Sequence, residues 1–377
     1  MEVAQFLWTA DRGWDPRLPG NGGPADWVLV FGERSSLAQN APIAQLRQAY
    51  PQAIVMGCST AGEIVGERVI EAGLSAIAVR FEHTQLQTAR VALAHADDSY
   101  SAGQQLAQSL AVDGLRHVFV LSEGLQVNGS TLVRGLVDHL PEGVSVTGGL
   151  SGDGSQFAET WVLCDGDLQP GLAVALGFYG DRLHIGYGSW GGWDPFGPDR
   201  VITQSSGNVL YALDGQSALD LYKQYLGDYA AGLPATGLLF PLSLQLKTGE
   251  TGLTRTILAI DEENRGLVFA GDVPMGATVR LMRANFDRLV DGAMTAAETT
   301  QAQGLAAPEL AICISCVGRK LVLKQRIEEE VEAVREVLGP QATIAGFYSY
   351  GEIAPFRSGA PCRLHNQTMT ITTFSEV

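Results

Sequence analysis

The stretch Ala345-Gly346-Phe347-Tyr348-Ser349-Tyr350-Gly351-Glu352-Ile353-Ala354-Pro355 follows a short β-branched run and brings two glycines, a hydroxyl group and a carboxylate into one turn. An earlier stretch, Met56-Gly57-Cys58-Ser59-Thr60-Ala61-Gly62-Glu63-Ile64, has Gly, Ser/Thr and Gly-Glu-Ile at the same spacing. A looser copy is Gly148-Gly149-Leu150-Ser151-Gly152-Asp153-Gly154. We call residues 57–63 turn 1, residues 148–154 turn 2 and residues 346–352 turn 3. Each follows a predicted buried strand, a common place for ligand contacts in α/β sheets.

The elements around the turns follow a repeated order. Residues 99–190 and 284–374 are each predicted to contain a helix, a strand, a helix, a strand, a Gly-rich acidic turn and antiparallel strands; the long helix that opens the second copy is predicted over 284–303. Strands separated by helices favour parallel pairing, whereas hairpins are antiparallel. The predicted fold class is therefore mixed α/β, with two related domains from an internal duplication, each a mixed β-sheet with helices packed outside.

The length of 377 residues predicts more than one domain. Residues 1–26 are rich in Gly and Pro and are predicted to form an arm lying on the surface. The first domain is predicted over residues 27–205 and the second over 206–377. The stretch 188–198 is too rich in Gly, Pro and aromatic residues for a regular element, and we place the boundary just beyond it.

The charge balance restricts the partners. The formal net charge is −16 and there is no run of Lys or Arg, which argues against nucleic acid and against anionic membranes. No apolar run is long enough to span a bilayer. Residues 1–20 do not resemble a signal peptide, and five cysteines, an odd number, are typical of a reducing compartment. The predicted location is the cytoplasm.

The turns supply the candidates for ligand binding. Glycine permits the close approach of a ligand, a hydroxyl orients a polar molecule, and a carboxylate accepts from an amine or a guanidinium. The alternative is purely structural: tight turns whose carboxylates cap N–H groups or pair with Arg68 or Arg357. Two matching turns in one chain favour a shared cleft. The predicted ligand-binding residues are Ser59, Thr60, Gly62, Glu63, Ser349, Tyr350, Gly351, Glu352, His365 and Asn366.

Catalytic motifs are absent from the sequence. It contains no P-loop, no GxGxxG opening a helix, no HExxH and no GxSxG, so we do not predict an enzyme and name no catalytic residue. A hydrolase that uses Cys58 or Glu63 is the enzymatic alternative. The single CxxC, at Cys313 and Cys316, lacks a second pair for a zinc site and is predicted to be packed in the core.

The chain resembles the FIST family over about residues 25–374. Turns 1 and 2 are similar to its amino-terminal part. Its carboxy-terminal part is similar to Leu213-Asp214-Gly215, Phe269-Ala270-Gly271-Asp272, Ser315-Cys316-Val317-Gly318-Arg319, residues 346–355 and Leu364-His365-Asn366-Gln367-Thr368. The resemblance implies an intracellular sensor that binds a small ligand and signals to a partner, such as the histidine kinase of a two-component system, a diguanylate cyclase or a cyclic-di-GMP phosphodiesterase.

A subgroup of stand-alone FIST proteins is described as haem-binding and nitric-oxide-sensing. Membership would require a histidine as axial ligand, with His365 as the first candidate and His184 as the second. The sequence has no CxxCH, so the cofactor would be a non-covalent haem b. The alternative for His365 is a structural hydrogen bond across its hairpin. A homodimer stays open as the oligomeric state.

Overall fold

The computed structural model describes residues 1–20, 22–245, 253–301 and 307–377. Its elements form three consecutive repeats. Repeat 1 consists of β1 (Glu2–Thr9), β2 (Gly13–Asp15), β3 (Trp27–Gly32), α1 (Arg34–Leu37), α2 (Asn40–Ala49), β4 (Ile54–Ser59), β5 (Glu63–Val65), β6 (Arg68–Ile70) and β7 (Leu74–Arg80). Repeat 2 consists of β8 (Gln85–Ala92), α3 (Ser99–Ser109), β9 (Leu115–Ser122), α4 (Gly129–Val137), β10 (Ser145–Leu150), β11 (Val162–Cys164), β12 (Asp167–Gln169) and β13 (Leu172–Tyr179).

Repeat 3 begins with β14 (Leu183–Trp190) and is interrupted by an insertion, residues 194–283. The insertion contains β15 (Asp194–Ser206), β16 (Val209–Leu213), β17 (Gln216–Ser217), α5 (Ala218–Leu226), β18 (Leu242–Gln245), β19 (Leu253–Arg255), β20 (Ile257–Asp261), β21 (Gly266–Phe269) and β22 (Thr278–Arg283). Repeat 3 then continues with α6 (Phe286–Gln301), β23 (Leu310–Cys316), α7 (Val317–Leu323), α8 (Ile327–Leu338), β24 (Thr343–Ser349), β25 (Gly351–Pro355), β26 (Cys362–His365) and β27 (Met369–Glu376).

The three repeats exchange their hairpins in a cycle. Each has two parallel strands, β3 and β4, β9 and β10, or β23 and β24. The hairpin that follows these two strands pairs with a strand of another repeat. β5 and β6 join β24, β11 and β12 join β4, and β25 and β26 join β10. The resulting strand orders are equivalent: β12-β11-β4-β3-β7-β1-β2, β26-β25-β10-β9-β13-β8 and β6-β5-β24-β23-β27-β14. Each sheet therefore needs strands from two repeats.

The inner faces of the three sheets meet in one core. Trp27 lies at its centre, with its ring centroid 5.7 Å from Phe119, 5.5 Å from Phe178 and 6.2 Å from Phe374, so all three repeats contribute an aromatic ring. Strand β3 alternates between this core and an outer one, where Val28 and Val30 pack with residues of α2. Because both faces of the strand are covered, its sequence is continuously apolar, as expected for a strand buried on both sides.

The mixed α/β class and the repeated order of elements are confirmed. Turn 2, the looser copy in the sequence, belongs to a complete repeat of its own. The equivalent glycines Gly57, Gly148 and Gly346 show why the three copies share this residue: a Cβ at each would overlap the carbonyl oxygen of the paired residue on the neighbouring parallel strand. The predicted helix 284–303 is α6, and its last two residues lie outside the described part of the chain.

The surface arm predicted for residues 1–26 is wrong for its first half. Strand β1 pairs with β7 on one side and with β2 on the other, and Phe6, Trp8 and Trp14 are buried. The Gly and Pro content of residues 13–24 hid this strand, because composition averaged over the segment outweighed the aromatic side chains at alternate positions of β1.

The insertion has a sheet and a core of its own. Its strand order is β19-β18-β22-β15-β16-β21-β20, with β17 on β16. The irregular stretch predicted over 188–198 is instead the end of β14 and the start of β15, because cross-strand pairing with β27 and β22 overrides local composition. The boundary predicted at 205/206 falls at the end of β15, and strands on both sides of it share this sheet. No helix among the residues described is long and apolar enough to cross a bilayer.

Candidate functional site

The three turns meet and hydrogen-bond to one another in a ring. The same backbone bond occurs three times, from the fifth residue of one turn to the third residue of the next. Ala61 N donates to Tyr348 O at 2.8 Å, Gly152 N donates to Ser59 O at 2.9 Å, and Tyr350 N donates to Leu150 O at 3.3 Å. The hairpin exchange thus brings turns from distant parts of the sequence to one point, at the carboxyl ends of the parallel strands.

The fifth position of the turns is occupied by Ala61, Gly152 and Tyr350, and only the tyrosine is large. Its hydroxyl donates to an oxygen of Asp153 and lies 3.1 Å from the Gly154 carbonyl, and its ring stacks on Phe157 at 4.6 Å. Tyr350 therefore fills the space that the two small residues leave and fixes the loop after turn 2. It was predicted to bind ligand, but its polar atom is engaged within the protein.

A cavity of about 450 Å³ opens beside the ring, and we call it the turn pocket. Turn 1, the loop after turn 2, and helices α1 and α7 form its walls. Its lining residues are Glu33, Arg34, Ser35, Ala38, Thr60, Ala61, Gly62, Glu71, Asp153, Gly154, Ser155, Gln156, Trp161, Val317, Lys320 and Leu321. Turn 3 contributes none of them, so the cleft predicted between turns 1 and 3 is formed between turns 1 and 2 and α7.

Two cations face this pocket. Lys320 Nζ lies 2.6 Å from the Ala61 carbonyl and 2.7 Å from Glu71, which is largely exposed. The Arg34 guanidinium lies 5.6 Å from the Trp161 ring and pairs with exposed Glu159 at 3.2 Å. The partners of both cations are either exposed carboxylates or backbone carbonyls. An anionic group of a ligand can therefore take the place of these partners.

The carboxylate of Asp153 is committed to the protein. It accepts hydrogen bonds from the backbone N–H groups of Phe157, Ala158 and Glu159, each at 2.9 Å, in addition to the Tyr350 hydroxyl. These bonds fix the loop that forms one wall of the turn pocket. The remaining carboxylates on the lining, Glu33 and Glu71, give the pocket acidic as well as basic groups.

The two turn glutamates are buried rather than presented to ligand. Glu63 accepts from the Thr60 hydroxyl at 2.6 Å, and Glu352 accepts from the Ser349 hydroxyl at 2.8 Å, so the two turns repeat one internal bond. Glu352 also accepts from the backbone N–H of Thr368 at 3.1 Å. Loss of hydration on burial raises the pKa of each carboxyl to about 8.

The structure therefore divides the predicted ligand residues into two groups. Thr60 and Gly62 line the turn pocket. The others are buried and line none of the four cavities described: Ser59, Glu63, Ser349, Tyr350, Gly351, Glu352, His365 and Asn366. Several of them hold the turns in shape; Ser59 Oγ, for example, accepts from the backbone N–H of Trp161 at 2.8 Å.

Arg34, Trp161 and Lys320 are among the pocket residues that the sequence did not reveal. They lie outside the turns, on two short helices and at the start of a hairpin. One signal was available for Lys320, because it directly follows Ser315-Cys316-Val317-Gly318-Arg319, a segment that carries the family resemblance. Helix α7, on which it lies, was not predicted.

The two histidines do not fit a haem site. His365 is fully buried, its Nε2 lies 2.8 Å from the Ala354 carbonyl, and its ring packs edge-on against Phe356 at 4.2 Å. Burial lowers its pKa to about 4. His184 is half-buried on β14 opposite Ser375. Neither lines any of the four cavities described, whereas a haem needs an apolar slot beside its axial ligand. Within the described ranges no three His, Cys, Asp or Glu side chains form a metal-binding group.

The enzymatic alternative gains no support from Cys58. Its side chain is fully buried, and burial raises the pKa of the thiol well above its usual value. A thiol must ionise and reach its substrate to act as a nucleophile. The pair Cys313 and Cys316 is likewise buried and reduced, as the packing interpretation predicts.

Comparison with known proteins identifies the family. A search of curated proteins finds no match. Among solved structures, the crystal structure of cyanuric acid hydrolase from A. caulinodans covers 78% of this chain and 99% of its own, at 13% identity and a TM-score of 0.18, too low to carry any argument. The FIST N domain model matches residues 26–216, and the FIST C domain model matches residues 218–355. The chain belongs to the FIST family, whose domains are sensory small-ligand modules of signalling proteins.

Proposed function

We propose that this protein is a sensor that binds a small polar ligand in the turn pocket and passes the signal to a histidine kinase or a cyclic-di-GMP enzyme. The observation that carries the proposal is the pocket itself. Its volume of about 450 Å³ falls within the range of small-molecule sites, and it lies at the carboxyl ends of parallel strands.

Two basic side chains on the lining can bind an anionic group of the ligand. Lys320 and Arg34 supply the positive charge, and the side chains of both are partly accessible, at 16% and 28% exposure. The Trp161 ring offers an apolar face beside Arg34. A carboxylate or phosphate that replaces the Ala61 carbonyl at Lys320 Nζ would form a charge-assisted hydrogen bond.

The proposal assigns a binding role and no catalytic one. Thr60, the turn hydroxyl on the pocket wall, donates to Glu63, whose raised pKa favours the protonated form at neutral pH. A protonated carboxyl is a poor base for activating that hydroxyl. The partner enzymes are proposed from the family membership, and a phosphorylation or cyclase assay with candidate kinases and cyclic-di-GMP enzymes would identify the one that responds.

A thermal-shift screen of small anionic metabolites, followed by calorimetry on the hits, tests the proposal. We expect at least one compound to bind the wild type, and Lys320→Met to weaken its binding about tenfold or more, because a hydrogen bond to a charged group contributes about 1.5–3 kcal/mol. Lys223→Met is the matched control, since Lys223 lies in the insertion, pairs with Glu262 and does not line the pocket. Unchanged affinity in Lys320→Met, or no binding compound, would count against the site.

A further inference from the structure

Helix α7 forms a wall of the turn pocket with one of its faces. Val317, Lys320 and Leu321 line the pocket, and their spacing of three and four residues places them on the same side of the helix. Lys320 also fastens this face to turn 1 through the Ala61 carbonyl. A ligand that engages Lys320 therefore acts directly on α7.

The opposite face of α7 contacts the two segments of chain that flank the insertion, which we call the crossings. Arg319 is fully buried, and its guanidinium donates to the carbonyl of Gly191, where the chain enters the insertion. It also donates to the carbonyl of Leu289 at 2.7 Å, just after the chain returns. Glu330 on α8 holds the same guanidinium at 2.7 and 2.9 Å. One side chain of α7 thus hydrogen-bonds to the segment before the insertion and to the segment after it.

Apolar packing adds to this connection. Val322 and Leu323, the last residues of α7, belong to a small hydrophobic cluster with Trp193, Met282 and Leu289. Trp193 precedes the first strand of the insertion, and Met282 lies in its last strand. The cluster is therefore built from α7 and both ends of the insertion.

A third contact runs through Gln367. Gly318 of α7 packs against its side chain so closely that a Cβ at Gly318 would overlap the amide group. The side-chain amide of Gln367 donates to the Leu238 carbonyl within the insertion at 2.9 Å, and the backbone carbonyl of Gln367 accepts from the Trp193 indole at 2.8 Å. A shift of α7 would consequently also displace the contact between Gln367 and Leu238 in the insertion.

We propose that α7 couples the turn pocket to the insertion, so that occupation of the pocket changes how firmly the described residues of the insertion, 194–245 and 253–283, are held. The inference rests on the proposed function for the pocket and names its regulation. A ligand can shift the insertion only if it binds two positions of α7 with different affinity. The proposal requires that the Lys320 bond to turn 1 is formed in one of these positions and broken in the other. The insertion is then the part of the protein whose position a signalling partner would detect.

Hydrogen exchange of the ligand-free protein tests the coupling separately from ligand binding. Lys320→Met releases α7 from turn 1, and we expect amides over residues 190–196 and 284–292 to exchange about fivefold faster or more, because local opening becomes more frequent. Arg34→Met is the control, since it alters the same pocket from α1 and leaves α7 untouched. If Lys320→Met does not fold by circular dichroism, Leu321→Ala replaces it, with the same expectation.

Equal exchange at both crossings in the wild type and in the α7 variant, or equal acceleration by Arg34→Met, would overturn the coupling. A failed ligand search would remove the proposed function but would leave the exchange result standing, because the exchange experiment contains no ligand. The two ideas are therefore separable by experiment.

Discussion

Replacement of Arg319 by methionine is expected to lower the free energy of unfolding by about 3–5 kcal/mol, the usual result of removing one partner of a buried ion pair. Arg319 and Glu330 are both fully buried, and the pair is joined at 2.7 Å. Without the guanidinium, the Glu330 carboxylate would stay in the core with only the Ser315 and Tyr348 hydroxyls as partners. The Gly191 and Leu289 carbonyls would also lose a donor.

Urea denaturation at pH 7 measures this loss. Arg326→Met is the matched control, because Arg326 forms ion pairs with Glu329 and Asp287 at the surface, and exposed pairs of this kind contribute about 0–1 kcal/mol. We expect the control to behave almost as the wild type does. A loss below about 1 kcal/mol in Arg319→Met would show that the buried pair is not needed to hold the fold.

Replacement of Glu352 by glutamine is expected to make the protein progressively more stable than the wild type as the pH rises from about 5 to 8. The pKa of Glu352 is raised by burial from 4.5 to about 8, so the folded state holds a proton that the unfolded state releases. The wild type accordingly loses stability between these two values, by up to about 1.4 kcal/mol for each pH unit. Glutamine resembles the protonated carboxyl and does not titrate.

The difference between Glu352→Gln and wild type should therefore be smallest near pH 5, grow by several kcal/mol up to pH 8, and level off above it. Denaturation midpoints at a series of pH values give this curve. Glu329→Gln is the control: Arg326 lowers the pKa of this exposed carboxyl, so its replacement should show no such gain at high pH. A flat difference for Glu352→Gln would mean that the buried carboxyl is ionised in the folded protein.

The Gly-Glu turns could be predicted from local chemistry alone, but their roles could not. Turns 1 and 3 share a hydroxyl and a carboxylate three residues apart because the two groups bond to each other, at 2.6 Å in turn 1 and 2.8 Å in turn 3. The same pattern would suit a ligand site, and the sequence does not distinguish an internal bond from an external one. Burial decides this, and burial depends on the sheets that cover the turns.

The sequence by itself determined the order of strands and helices in repeats 2 and 3, apart from α7, and the three glycine positions, because continuous apolar runs and the close approach of strand backbones leave a direct trace in residue types. Tertiary structure alone decided which sheet each hairpin joins. Strand pairing uses backbone N–H and C=O groups, and every residue except proline has both. The side chains of a strand edge therefore do not specify which strand pairs with it. The exchange of hairpins in turn placed Lys320 and Arg34, distant in sequence, on the wall of one pocket.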